Sequence, residues 1–248
     1  MTQSKIFIYG KHAVEEALRY KPESVTKVYL APTFDDGAIL TLIKKTRVEI
    51  LPLKANSGPQ VEGNGSHQGV MASISLAALV TPYETFIKNL AVTPNTGLVL
   101  LGEVQDPHNV GAIIRSAAAF GLSGVLMPEH NQAPVTGTVA KVSAGMAFRV
   151  PLVSIGNVNT TVRDLKAKGF WIYGLEGEAD HSLHDEKFDA PAVFIVGNEG
   201  AGIRMKTKEV CDILLSIPVH PRCESLNAAA SAAVALYSWS AQHPSALN

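Results

Sequence analysis

The chain has 248 residues, 46% of them apolar, with 21 Lys/Arg against 22 Asp/Glu for a formal net charge of −1. That length and apolar share exclude a disordered chain and suit one large domain or two modest ones. The charge argues against a protein that grips nucleic acid through bulk positive charge, so any RNA contact must come from local patches.

Ile6-Phe7-Ile8-Tyr9 reads as a short strand, and Gly10 opens a helix with Ala13, Val14, Ala17 and Leu18 on one face. Val25 to Leu30 is a second strand, Ala38 to Lys45 a helix, Val48 to Leu51 a strand and Gly69 to Ile74 another. Together they predict a small α/β unit over residues 1–75. Up to Ala77 there are nine Lys/Arg against seven Asp/Glu, and after it twelve against fifteen, so this unit is the mildly basic part. Residues 76–96 carry Pro82 and Pro94 around one short amphipathic piece, Tyr83 to Leu90, and read as a linker.

From Gly97 strands and helices alternate. Strands are expected at Leu98 to Gly102, Gly124 to Met127, Pro151 to Val153, Phe170 to Gly174, Ala192 to Val196 and Ile213 to Ile217. Helices are expected at Val110 to Phe120, Val135 to Val142, Val158 to Lys168 and Ala228 to Trp239. Fully apolar strands alternating with helices predict a mostly parallel sheet covered on both faces over residues 97–248. The longest apolar runs are too short to cross a bilayer, and the N-terminus lacks the apolar core of a signal peptide, so the cytoplasm is the expected compartment. Cys211 and Cys223 have no metal spacing and are expected as ordinary thiols.

Three stretches look built to meet. The first is Asp106-Pro107-His108-Asn109-Val110-Gly111 leading to Arg115, the second Gly197-Asn198-Glu199-Gly200-Ala201-Gly202, the third Ile217-Pro218 with Ser225-Leu226-Asn227. Each follows an apolar strand, where glycines permit close backbone approach to a ligand and Ser, Asp or Asn can cap a helix. The glycine spacing G-x-x-G-x-G differs from the dinucleotide fingerprint G-x-G-x-x-G and comes late in the chain, which disfavours a NAD-dependent oxidoreductase. Asn109, Ser225 and Asn227 would serve equally as helix caps, Glu199 as a turn residue anchoring Arg115 or the neighbouring loops, and Ile217 and Leu226 as core. Arg115 must leave a mostly apolar helix through a polar opening, as an ion-paired arginine also would. Asp180-His181 and His184-Asp185 sit in a polar loop without further ligands, and no metal is expected.

Taken in order, the three stretches resemble the signature motifs of the SpoU (TrmH-like) class of SPOUT RNA methyltransferases. The resemblance implies transfer of a methyl group from S-adenosyl-L-methionine to a ribose 2′-hydroxyl. It also implies a trefoil knot in the C-terminal domain and a homodimer. Carried onto this sequence, it assigns catalysis to Arg115, with Asn109, Glu199, Ser225 and Asn227 around the reacting groups, and cofactor contact to Gly197, Ile217 and Leu226. Tyr9-Gly10-Lys11-His12-Ala13-Val14 and His67-Gln68-Gly69-Val70 are similar to the ribosomal-protein L30e-like substrate-binding unit that precedes many such domains. Lys141-Val-Ser-Ala-Gly, Gly177-Glu-Ala-Asp-His-Ser-Leu and Ile217-Pro most resemble family members that act on a guanosine of 23S rRNA. A tRNA ribose or a non-catalytic role in RNA binding or ribosome assembly stands as the alternative. The loop His220-Pro-Arg-Cys-Glu224 and the Ala-Ala-Ala-Ser-Ala-Ala run after Asn227 depart from the family pattern.

Overall fold

The computed structural model describes residues 5–53 and 67–247, so parts of the expected 1–75 unit lie outside the described residues. Alternation of buried and exposed positions builds β1 (Lys5–Tyr9), with Ile6 and Ile8 turned inward. α1 (Lys11–Tyr20) buries Ala13, Val14, Ala17 and Leu18, the face its spacing predicts. β2 (Val25–Leu30) leads to α2 (Gly37–Thr46), whose start is capped by the Asp36 carboxylate accepting from the Ile39 amide at 3.3 Å. β3 (Glu49–Pro52) and β4 (Val70–Ser75) complete a four-stranded sheet in the order β1-β4-β2-β3. Its β1–β4 and β2–β4 pairs are antiparallel and its β2–β3 pair parallel.

The stretch read as a linker is built into the larger sheet. After α3 (Leu76–Leu79), β5 (Val80–Pro82) pairs in parallel with β8 (Leu152–Ile155) at the sheet edge, where a proline is tolerated. α4 (Tyr83–Asn89) then buries Tyr83 and Phe86, three residues apart on one face. Phe86 packs over Gly124, and the Tyr83 hydroxyl donates to Asp164 at 2.6 Å. The two prolines that suggested a linker flank an amphipathic turn that covers the sheet.

The rest alternates as expected. The elements are β6 (Gly97–Gly102), α5 (Pro107–Ala119), β7 (Gly124–Pro128), α6 (Gly137–Val142), β8, α7 (Val158–Ala167), β9 (Trp171–Leu175), β10 (His181–Ser182), β11 (Ala192–Gly197), α8 (Met205–Lys208), β12 (Ile213–Ser216) and α9 (Ala228–Gln242). The sheet has eight strands in the order β10-β12-β9-β11-β6-β7-β8-β5, every pairing parallel. All six residues of β11 are buried, as a sheet covered on both faces requires. α9 lies against it through Ala232, Ala235, Leu236 and Trp239, and the Trp239 ring fills the space a side chain at Gly97 would need.

The first unit is docked on the second. Arg149 gives its Nε and Nη2 hydrogens to Glu16 at 2.5 and 2.8 Å and lies over the Tyr20 ring, while Lys141 lies over Tyr9. Gly137 leaves room for the Phe7 carbonyl, which a Cβ there would strike.

Candidate functional site

β6 and β11 are neighbours although four strands separate them in sequence, so the sheet reverses its direction of growth between them. A crevice therefore opens beyond their carboxyl ends, the usual ligand position in an open α/β sheet. Two loops meet there, residues 103–106 after β6 and 198–204 after β11.

The helix caps determine how the polar groups there are oriented. Asn227 caps α9, its Oδ1 accepting from the amides of Ala229 and Ala230 at 2.9 and 3.3 Å. Its Nδ2 therefore points away and donates to Asn109 Oδ1 at 2.9 Å. Asn109 is 7% exposed, and its own Nδ2 donates to Glu199 Oε1, also at 2.9 Å. Glu199 accepts in addition from the backbone amides of Gln105 and Asp106, at 3.3 and 3.2 Å. Asp106 caps α5 by accepting from the His108 amide at 2.8 Å. One chain of hydrogen bonds thus runs through all three sequence motifs, each donor meeting an acceptor. Partial burial would raise the Glu199 carboxyl. The hydrogen bonds from Asn109 and from the amides of Glu199, Asp106 and Gln105 outweigh it and hold the group below the ordinary glutamate range.

The glycine-rich turn is fixed by its own backbone. Asn198 and Gly202 exchange two backbone hydrogen bonds of 3.0 Å, and Asn198 Oδ1 accepts from the amides of Gly200 and Ala201. A Cβ at Gly197 would fall on the backbone of Gly202 and Ile203, and Gly202 has φ +65°. Asn198 Nδ2 donates to the carbonyl of Glu103, which holds φ +68° without being glycine.

Beside this turn lies a cavity of about 400 Å³, within the usual range for small-molecule sites. Its walls are residues 175–178 at and after the end of β9, residues 196–202, and part of the chain running from β12 into α9, from Leu215 and Ile217 to Ala228 and Ser231 but without Arg222 or Asn227. Gly197, Ile217 and Leu226, the three expected cofactor contacts, all line it, with Glu199 and Ser225. Leu226 is 37% exposed, which suits an apolar ligand contact better than the core reading.

Arg115 stands apart. It is exposed on α5, it does not line the cavity, and among the described residues it makes no hydrogen bond or ion pair. Glu199 takes the other role open to it, holding the loop after β6. Ser225 is exposed and its hydroxyl has no partner among the described residues. His181 pairs with Glu186 at 2.7 Å, and among the described residues no group of three or more His, Cys, Asp or Glu could hold a metal ion. Both cysteines are free, and burial pushes the Cys211 thiol up to about 12. Sequence reasoning missed Asn198 as a loop-former and Glu103 as its anchor. Asn198 lay inside a quoted motif, but a positive φ at a glutamate leaves no sequence signal.

Residues 97–237 match the model of the SpoU rRNA Methylase family, and residues 7–80 the model for RNA 2′-O ribose methyltransferase substrate binding. The chain is 34% identical over 233 residues to the 23S rRNA (guanosine-2′-O-)-methyltransferase RlmB of Shewanella oneidensis, covering 93% of this chain and 94% of that protein. It is 35% identical to RlmB of Yersinia pestis, with the same coverage of each. In structure it resembles the SpoU methyltransferase AviRb from Streptomyces viridochromogenes, with a TM-score of 0.82 at 22% identity over 98% of this chain and 91% of that one. The AviRb complex with the cofactor AdoMet gives 0.80 at 22% identity, over 98% and 92%. At that identity the structural likeness carries the fold alone.

Proposed function

The chain belongs to the SpoU rRNA methylase family, and we propose that it transfers a methyl group from S-adenosyl-L-methionine to the ribose 2′-hydroxyl of a guanosine in 23S rRNA. The single observation behind this is the hydrogen-bonded chain Asn227–Asn109–Glu199, which joins the three motifs beside a cavity lined by Gly197, Ile217 and Leu226. Identity of about one third to RlmB proteins over nearly the whole chain supports the choice of substrate.

The residues present fit the cofactor. The glycine turn, closed tightly enough that a Cβ at Gly197 would strike the backbone of Gly202 and Ile203, brings backbone groups to the cavity, and Leu226 and Ile217 line it with apolar surface. When bound, the cofactor supplies an activated methyl group on sulfur. A ribose hydroxyl is a poor nucleophile, so the protein must orient it and stabilise the charge that develops on its oxygen. Arg115 takes that role: its guanidinium has no partner among the described residues and offers a planar fork to ribose oxygen and phosphate. Asn109, Glu199 and Asn227 shape the loop through which the ribose reaches the methyl, and the free Ser225 hydroxyl is available to it.

The N-terminal unit, read as residues 1–75, presents the RNA. Lys44, Lys45 and Arg47 are exposed at the end of α2 and make no ion pair among the described residues. A homodimer forms through α9 and the end of α5, where Tyr237 is 62% and Val234 42% exposed and Tyr237 meets Phe120 edge-on. The C-terminal domain carries the trefoil knot that the resemblance implies, with the chain between β12 and α9 as its returning segment. Among the described residues no helix is long and apolar enough to cross a membrane, and acting on rRNA would put the protein in the cytoplasm.

Transfer of labelled methyl from S-adenosylmethionine to naked 23S rRNA and to tRNA, followed by ribose mapping, tests the assignment. One 2′-O-methylguanosine in 23S rRNA is expected. Label in tRNA, or S-adenosylmethionine binding with no transfer to either, overturns the substrate or the catalysis respectively.

A further inference from the structure

Resting on that reading and deepening it, we propose that the short helix α8 is an electrostatic clasp between the cofactor cavity and the loop after β6, with Lys208 as the positioning residue for the cavity wall after β9 and Arg204 as the positioning residue for that loop. α8 is seated on α7: Thr207 is buried and donates its hydroxyl to Asn159 Oδ1 at 3.0 Å, while Asn159 Nδ2 donates to the Lys206 carbonyl at 3.1 Å. From that base two cations reach in different directions. Arg204, at the helix start, gives Nε and Nη2 to Glu103 Oε2 at 2.8 and 2.7 Å. Lys208 places Nζ 2.6 Å from Glu176 Oε2.

The two carboxylates belong to two different loops, one in the cavity wall and one holding the start of α5. Glu176 is part of the cavity wall after β9. Glu103 begins the loop after β6, the one Glu199 and Asn109 hold, and its left-handed backbone conformation is the kind of strain that surrounding contacts must maintain. Asn198 takes hold of the same residue through its carbonyl, so the glycine turn and Arg204 grip Glu103 together. Ordinary surface ion pairs contribute little. Lys208 differs from the rest in burial: its side chain is 23% exposed, the lowest of any Lys or Arg in an ion pair among the described residues, with Glu176 at 22%. A cation so placed acts through the wall it holds. The Lys208 arm therefore governs cofactor affinity, and the Arg204 arm governs the catalytic loop.

The test measures S-adenosylmethionine binding by calorimetry and methyl transfer by steady-state kinetics on the full chain. Lys208→Gln is expected to weaken cofactor binding about threefold to tenfold, with kcat at saturating cofactor within about twofold of the parent, and Lys208→Arg to restore affinity. Arg204→Gln, whose pair is the more exposed of the two, is expected to lower kcat about threefold to fivefold while cofactor affinity stays within about twofold. Glu103→Gln combined with Arg204→Gln should lose no more than either alone, the mark of a pair acting as a unit. Melting curves check that each variant is folded. A parent that binds and methylates while its variants do the same overturns the clasp alone, as does additivity in the Glu103–Arg204 cycle or an equal effect of both single variants on affinity and kcat. A parent that binds no S-adenosylmethionine overturns the functional reading and the clasp with it.

Discussion

Two sets of polar side chains belong to the three motifs and the loops beside them, and they differ in what they already hold. Asn109, Asn198, Glu199 and Asn227 have their hydrogen-bonding groups engaged within the chain. Arg115 and the Ser225 hydroxyl have none among the described residues, nor does the side chain of Arg222 at the tip of the loop after β12. The loop itself is thinly braced: a Cys223-to-His220 backbone bond of 2.8 Å closes a turn, and residues 218–227 are all exposed. Engaged groups fix the shape of the site and unengaged ones are left for ligands, so substitutions in the two sets should fail in different ways.

The largest effect should come from the unengaged set. Arg115→Ala should lower methylation by about 10²-fold or more, the scale of losing a charge-stabilising donor, with melting temperature and cofactor affinity near the parent. A wild-type rate would return Arg115 to the surface, and an unfolded variant would move it to the engaged set. Asn109→Ala should do the reverse. It removes the shorter of two hydrogen bonds to Glu199 Oε1, which keeps the Asp106 amide, and takes the acceptor from Asn227 Nδ2, so urea unfolding should show a loss of about 1–3 kcal/mol, and turnover should fall only as far as the loop deforms.

Gly197→Ala sharpens the contrast at the backbone. Its Cβ has no room against Gly202 and Ile203, so a cost of about 1–3 kcal/mol is expected in stability, together with weaker cofactor binding by calorimetry. The Glu199 carboxyl supplies a smaller, pH-dependent effect. Its pKa is depressed on folding, so its contribution is fully present above the unfolded glutamate value and is lost as pH falls through the lower folded value. Glu199→Gln should flatten the acid limb of the stability profile and leave the neutral limb unchanged in shape, and an unchanged acid limb would contradict the network. The smallest effect belongs to Arg222→Ala, for which cofactor affinity within about twofold of the parent is expected, since the residue makes no contact with the cavity.

Much of this was legible before any coordinates. Apolar runs such as Ala192 to Val196, bounded by glycines and alternating with amphipathic helices, determined a parallel α/β sheet, because a strand buried on both faces must be apolar throughout. Motif residues named the walls of the cavity, because close backbone approach requires glycine and free helix starts require Ser, Asp or Asn. Tertiary structure alone decided the rest. Residues 80–89 join the sheet rather than link two units because Tyr83 and Phe86 find Asp164 and Gly124, partners 81 and 38 positions away. Glu199 holds Asn109 and not Arg115 because the Asn227 cap, set by α9, passes its orientation from one amide to the next across 118 and then 90 positions. Local patterns record which face a residue turns and which turns it permits; which carboxylate meets which amide depends on loops brought together by strand order, and no window of sequence contains that.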